Sequence, residues 1–289
     1  ANIVFLIDTS GSMSSPDKLP LLVESFKQMA QKLRPQDRVS IVVYAGSAGL
    51  VLPATSGADK ETILQALDKL QAGGSTNGGQ GIELAYKIAK ENYIGNGVNR
   101  VILATDGDFN VGIYDTEMLK TLVADQRKSG IALTTLGFGQ GNYNDHMAEQ
   151  LADVGNGNHA YIDNLNEGRK VLVEEMSSTM MTIAQDVKIQ VEFNPAVVAE
   201  YRLIGYENRK LNREDFNNDK VDAGDIGAGA AVTAIYEVTA PGSPALLNDP
   251  LRYGAAKTPE GSAELGYLRL RSVAPGGTGS SLQETAIVP

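Results

Sequence analysis

Cysteine is absent from the 289 residues. Zinc-thiolate centres, iron–sulfur clusters, thiol catalysis and disulfide frameworks are thereby excluded, while the compartment stays open, since cysteine-free chains occur inside and outside the cytosol. Long apolar runs are also missing, and none approaches the ~20 residues needed to span a bilayer. Positive charge is in deficit, with Lys+Arg 25 against Asp+Glu 35 and a formal net charge of −10. Such a chain is a poor candidate for gripping nucleic acid or anionic lipid through bulk electrostatics; cations and basic partners suit it better. The start at Ala1, with no initiator Met and no signal peptide ahead of the apolar run at Ile3, reads as a processed or trimmed fragment.

What is present suffices for a core. The chain is 42% hydrophobic and 21% charged, which rules out disorder as its main theme and, at about 150 residues per domain, argues for two domains. Short β-branched runs, Ile3–Ile7, Val39–Tyr44, Arg100–Ala104 and Ile131–Leu136, are predominantly apolar. Unbroken runs of this kind suit strands covered on both faces. Between them apolar residues recur at helical spacing: Leu19, Leu22, Val23, Phe26, Met29, Ala30 and Leu33, then Ile63, Leu67 and Leu70, then Ile82, Ala85 and Ala89, then Met118, Leu119, Leu122 and Val123. A last long helix is expected from about Leu165, with Leu172, Val173, Met176, Met180 and Ile183 buried, and with Asn164 and Glu167 forming an Asx variant of a capping box. The alternation predicts a doubly wound α/β domain with a mainly parallel sheet over residues 1–184.

The period then changes. Val187–Phe193 alternates apolar and polar residues, as a half-buried strand does, and Asn194-Pro195 ends it. Val197–Ile204, Val232–Val238, Leu265–Arg271 and a short Ala286–Val288 are further strand candidates, with a flexible loop over residues 275–281. Residues 187–289 are therefore expected to form a smaller antiparallel β domain, sandwich-like in build.

Chemistry is concentrated in three loops. Asp8-Thr9-Ser10-Gly11-Ser12 leaves the first apolar run, Thr105-Asp106-Gly107-Asp108 leaves the run ending at Ala104, and Gly73-Gly74-Ser75-Thr76-Asn77-Gly78-Gly79 feeds a helix. The carboxyl edge of an open α/β sheet is where ligands bind. Asp8, Ser10, Ser12, Thr76 and Asp106 are all hard oxygen donors, so the cation they suit is Mg2+, Mn2+ or Ca2+. Hydroxyls bind a metal without neutralising it. An ion held by Ser10, Ser12 and Thr76, with Asp8 and Asp106 acting partly through water, would keep an open position that attracts an outside carboxylate.

This pattern resembles the von Willebrand factor type A domain, whose metal-ion-dependent adhesion site uses Asp-x-Ser-x-Ser, a Gly-Ser-Thr threonine and a Thr-Asp-Gly aspartate. The resemblance implies one divalent cation, Mg2+ first, on Asp8, Ser10, Ser12, Thr76 and Asp106, with the two serines and the threonine able to coordinate directly. It implies a non-enzymatic adhesion or assembly module whose partner is a protein offering Asp or Glu. Loops Met13–Asp17, Asn77–Gly79 and Asp108–Asp115 are expected to set specificity. Gly137–Asp145, Asn156–Tyr161, Val187–Pro195 and Tyr201–Asn208 are similar to a bacterial branch of predicted envelope proteins, in which a β-rich domain of unassigned function follows the A domain. This implies a periplasmic or surface location.

Competing readings are weaker. A haloacid-dehalogenase-type phosphatase wants a second Asp where Ser10 stands. Gly137-x-Gly139-x-Gly141 follows the wrong strand for a dinucleotide fold and reads as a turn. Residues 10–14 lack the Lys of a phosphate loop. His146 and His159 sit in no pattern with a nucleophile and read as surface or loop residues. Asp215–Asp225 begins like a calcium loop, but Lys220 and Ile226 stand where Gly and an acid are required, so a solvated turn is expected. A hydrolase using the same cation as a Lewis acid would need a general base such as Asp108 or Asp115. A scaffold working beside a chaperone-like ATPase would share the site and differ in partner.

Overall fold

The computed structural model describes residues 1–75, 77–95, 97–107, 116–139, 145–175, 182–205, 210–221, 223–249, 263–275, 277 and 279–289. Its contacts divide into two units, Ala1–Met181 with Gly227–Gly229, and Thr182–Ile226 with Ala230–Pro289.

The first unit alternates strand and helix: β1 (Asn2–Asp8), α1 (Leu19–Ala30), β2 (Arg38–Tyr44), β3 (Ala48–Ser56), α2 (Lys60–Asp68), α3 (Gly78–Glu91), β4 (Asn99–Thr105), α4 (Thr116–Lys128), β5 (Ile131–Phe138), α5 (Asp145–Val154), β6 (His159–Ile162) and α6 (Leu165–Arg169). The sheet order is β3-β2-β1-β4-β5-β6. Every neighbouring pair is parallel except β2 with β3. The expected doubly wound sheet is thus observed.

The strands' two-residue period explains the layering. Ile3, Phe5 and Ile7 of β1, with Ile102 and Ala104 of β4, join a core with Leu22, Phe26 and Met29 of α1, Ile63 and Leu67 of α2, and Ile162. Val4 and Leu6, with Val101 and Leu103, face the opposite way onto Ile82, Ala85 and Ala89 of α3, Leu119 and Val123 of α4, and Leu151 of α5. The rings of Phe5 and Phe26 stack with centroids 4.2 Å apart.

Four details depart from expectation. β3 was not foreseen, because it is a partly exposed edge strand containing Pro53, with Leu50 and Val51 open to solvent. Met118 is exposed rather than part of the buried stripe of α4, which Leu119 and Val123 fill instead. The long last helix is short: Asn164 does cap it by accepting the Glu167 N–H at 3.0 Å, but α6 passes into one π-helical turn, Lys170–Glu174. Ile183, assigned to that helix, lies in the next strand. Met176 and Met180 lie outside the described residues.

The second unit carries β7 (Thr182–Phe193), β8 (Glu200–Ile204), β9 (Gly224–Gly227), β10 (Ile235–Thr239), β11 (Gly266–Val273) and β12 (Ser280–Ile287). A four-stranded sheet has the order β12-β11-β7-β9, and β8 pairs with β10. β7/β11, β11/β12 and β8/β10 are antiparallel. Phe193, at the end of β7, packs its ring against Tyr201 and Tyr236 of the β8/β10 ribbon, at 4.8 and 5.2 Å. Ser280 and Ser281, expected in a flexible loop, open β12.

Candidate metal centre

β1 lies between β2 and β4, so the connections leaving it and its neighbours diverge there and open a crevice beyond the strands' carboxyl ends. Register sets Asp8 beside Tyr44 of β2, and Ile7 beside Ala104 of β4, which brings Asp8 next to Thr105. The Tyr44 hydroxyl donates to Asp8 Oδ2 at 3.2 Å, the Thr105 hydroxyl donates to the same oxygen at a long 3.4 Å, and the Ser10 N–H donates to Oδ1 at 2.8 Å. Asp8 is fully buried. Burial pushes its carboxyl above the usual range, the bonds from Ser10 and Tyr44 oppose the rise, and the nearby charge of Asp106 adds to it.

After Asp8 the chain turns through a short 3-10 helix, Gly11–Ser14, pinned by the fully buried Met13. The Ser10 and Ser12 hydroxyls lie 3.0 Å apart. Met13, expected among the specificity-setting residues, therefore belongs to the core and cannot meet a partner. Asp106 follows β4 and is also buried. Gly107 adopts φ +84, a conformation that suits glycine, and its N–H turns back to the Thr105 hydroxyl at 3.2 Å. The third loop is joined to the first through the main chain: Gly73 N–H donates to Thr9 O at 2.8 Å and Gly11 N–H to Gly74 O at 3.0 Å.

Asp8, Ser10, Ser12 and Asp106 thus lie on adjoining loops of one sheet edge. Thr76 lies outside the described residues, as do Asp108–Asp115. Sequence reasoning missed three supporting residues. Tyr44 and Thr105 are polar residues ending apolar runs, and that position was the available signal. Lys18, just ahead of α1, places its ammonium 2.8 Å from Asp106 Oδ2 and 3.0 Å from the Ser12 carbonyl oxygen; nothing in its spacing announced this.

Among the described residues no three His, Asp or Glu side chains gather as a metal cluster. The crevice is instead two buried carboxylates, two hydroxyls and backbone oxygen, with a cation already seated on it in the form of the Lys18 ammonium. That donor set fits a hard divalent ion.

The other singled-out residues are otherwise engaged. His159 lies in β6 rather than in a loop, its Nδ1 2.8 Å from the Thr135 hydroxyl, and His146 contacts Gln150 on α5. In the aspartate-rich segment, the Lys188 ammonium donates to the Asn218 carbonyl at 2.5 Å, Arg271 donates to Asn217 Oδ1 at 3.0 Å, and Ser280 donates to Asp219 at 2.7 Å. The protein's own cations and hydroxyls meet this turn.

Residues 2–174 match the family model described as von Willebrand factor type A domain, and residues 178–289 match that described as Uncharacterized protein YfbK, C-terminal. The chain is 51% identical to Uncharacterized protein YfbK of Escherichia coli over 293 residues, covering 100% of this chain and 51% of the relative. It thus spans about half the length of that curated relative. Among solved structures, a von Willebrand factor type A protein from Catenulispora acidiphila aligns with TM-score 0.57 at 18% identity over 99% of this chain and 65% of its own. BatB from Bacteroides thetaiotaomicron aligns with TM-score 0.51 at 21% identity over 61% and 97%. These two likenesses speak to fold alone.

Proposed function

Because the chain belongs to the von Willebrand factor type A family, whose domains mediate protein–protein interaction, we propose that it is a divalent-cation-dependent binding module for a protein ligand bearing Asp or Glu. Proteins with this domain are generally non-catalytic interaction modules, and the reading here is adhesion or assembly. The observation that carries it is the convergence of Asp8, Ser10, Ser12 and Asp106 on a buried sheet edge that already accepts an ammonium.

A bound Mg2+, or Mn2+ or Ca2+ in its place, supplies an electrophilic position that an incoming carboxylate can complete. The chain's residues divide the remaining work. Tyr44 and the Ser10 N–H fix both oxygens of Asp8, so its orientation is set before any ion arrives. Ser10 and Ser12 offer oxygen without charge, which leaves the site short of negative charge and selective for an acidic partner. Asp106 brings the second charge. Thr76, on the loop bonded to Gly11, is the proposed third hydroxyl. An envelope location is part of the same proposal.

The test is capture from envelope extract on the immobilised domain, eluted with EDTA and followed by direct binding of the eluted protein. Binding should need the metal, fall at least tenfold in Asp8→Ala, and weaken in Thr76→Ala with little change in melting temperature. A partner indifferent to both chelation and Asp8→Ala refutes the mechanism.

A further inference from the structure

Lys18 is held too firmly to be a casual surface ion pair. It lies 88 residues before its partner Asp106, its side chain is 21% exposed and that of Asp106 is 2% exposed. Its backbone N–H donates to Ser15 O at 3.1 Å, and its carbonyl accepts the Leu22 N–H at 2.8 Å, so the residue is fixed at the head of α1. Its aliphatic stem lies on Gly139, at the end of β5. A Cβ on Gly139 would come within 2.6 Å of Lys18 Cε and 2.8 Å of Cγ, and the backbone there has φ +94. The Tyr161 hydroxyl donates to the Gly139 carbonyl and so braces that floor from β6. A bare backbone position, braced from below, thus supports the stem, and the ammonium ends on two oxygens of the crevice, Asp106 Oδ2 and the Ser12 carbonyl.

We propose that Lys18 is the resident counter-cation of the site: its ammonium neutralises Asp106 in the metal-free protein and must leave that carboxylate when a divalent ion is taken up. Metal loading is then an exchange of one cation for another, and Lys18 sets how weakly the ion is held. This rests on the reading of Asp8, Ser10, Ser12 and Asp106 as a metal site. The physical ground is that an ammonium and a dication repel at short range when both face one buried carboxylate. The uncharged alternative, a neutral side chain of the same length, would leave Asp106 facing the ion alone.

The experiment is Mn2+ titration of the whole 289-residue chain followed by electron paramagnetic resonance of free Mn2+, with competition by Mg2+. Lys18→Met keeps the stem on Gly139 and removes the charge; it should bind Mn2+ about tenfold tighter than wild type, and its metal-free form should melt lower and recover with Mn2+. Lys18→Arg should stay near wild-type affinity. Equal or weaker binding by Lys18→Met, beside a wild type that does bind, overturns this inference alone. Failure of both proteins to bind overturns the metal reading with it. Should Lys18→Met not fold, the side-chain 15N signal of the Lys18 ammonium in wild type decides: it should shift on Mg2+ saturation, and an unmoved signal with Mg2+ bound refutes the exchange.

Discussion

Tyr44→Phe deletes one oxygen from a fully buried position and leaves the ring's packing on the α3 face intact. The oxygen donates to Asp8 Oδ2 at 3.2 Å; without it that carboxylate oxygen loses this bond and retains the Thr105 hydroxyl at 3.4 Å, beyond good hydrogen-bond range. Hydrogen bonds to charged groups contribute about 1.5–3 kcal/mol, and the long distance here argues for the lower end, about 1.5–2 kcal/mol at neutral pH. In a domain of this size that is roughly 3–8 °C in Tm. The pH dependence has a definite sign. Burial raises the Asp8 carboxyl above its ordinary 3.8, so Asp8 favours the fold most below that value, and this contribution is lost as pH climbs through the raised one. Tyr44 favours the charged form and limits the rise; removing it lets the carboxyl rise further. The variant's deficit should therefore widen as pH climbs through the raised value, and shrink to about 1 kcal/mol, the scale of a neutral hydrogen bond, where Asp8 is protonated. Urea melts of both proteins in EDTA at pH 4 and pH 7.5 measure it. An equal deficit at the two pH values, or one below about 0.5 kcal/mol at pH 7.5, refutes the account of how Asp8 is held.

Mg2+ should raise the melting temperature of wild type, since a ligand bound only by the native state at a hundred times its Kd adds about 2.7 kcal/mol; scanning calorimetry with Mg2+ and with EDTA should show no such gain in Asp8→Ala. Asp37→Asn should cost about 1–2 kcal/mol at pH 7. Burial alone would raise the Asp37 carboxyl, but the Arg34 guanidinium at 2.9 Å and the Arg34 N–H draw it below the usual range. A lowered carboxyl stabilises above its ordinary 3.8 and loses that contribution as pH falls toward its folded value, so the variant's deficit should fade in acid melts. Gly157→Ala should cost about 3 kcal/mol or more, because the new Cβ would fall 1.7 Å from the Leu133 carbonyl oxygen; a wild-type denaturation midpoint would contradict the β5–β6 packing.

The parts of the fold written plainly in the sequence are those whose burial leaves no choice. β1 and β4 carry apolar residues on both faces, and only a sheet between two helical layers accommodates that. The edge elements are harder. β3 has Pro53 and two exposed aliphatics, so neither period marks it, and β9 is four residues of which two are glycine. Helical spacing also ran past its true end: Ile183 kept the rhythm of α6 although it belongs to β7, since apolar spacing carries no mark of where hydrogen bonding changes register. At the crevice, oxygen donors beside glycines drew attention to Asp8, Ser10, Ser12 and Asp106. The residues that orient them did not. Tyr44 and Thr105 act through strand register, and Lys18 through a stem laid across a distant glycine, relations that exist only once the sheet has formed.

The paired main-chain bonds between Thr9 and Gly73 and between Gly11 and Gly74 have a consequence for how such a module diversifies. Peptide groups do not register which side chains flank them. Gln71, Gly73 and Ser75 can therefore be exchanged while their loop stays moored to the serine-bearing turn, whereas Gly74, at φ +85, and Ala72, packed against the core, are held. The rim becomes replaceable and the floor is inherited, so new partners can be tried without rebuilding the crevice that receives them.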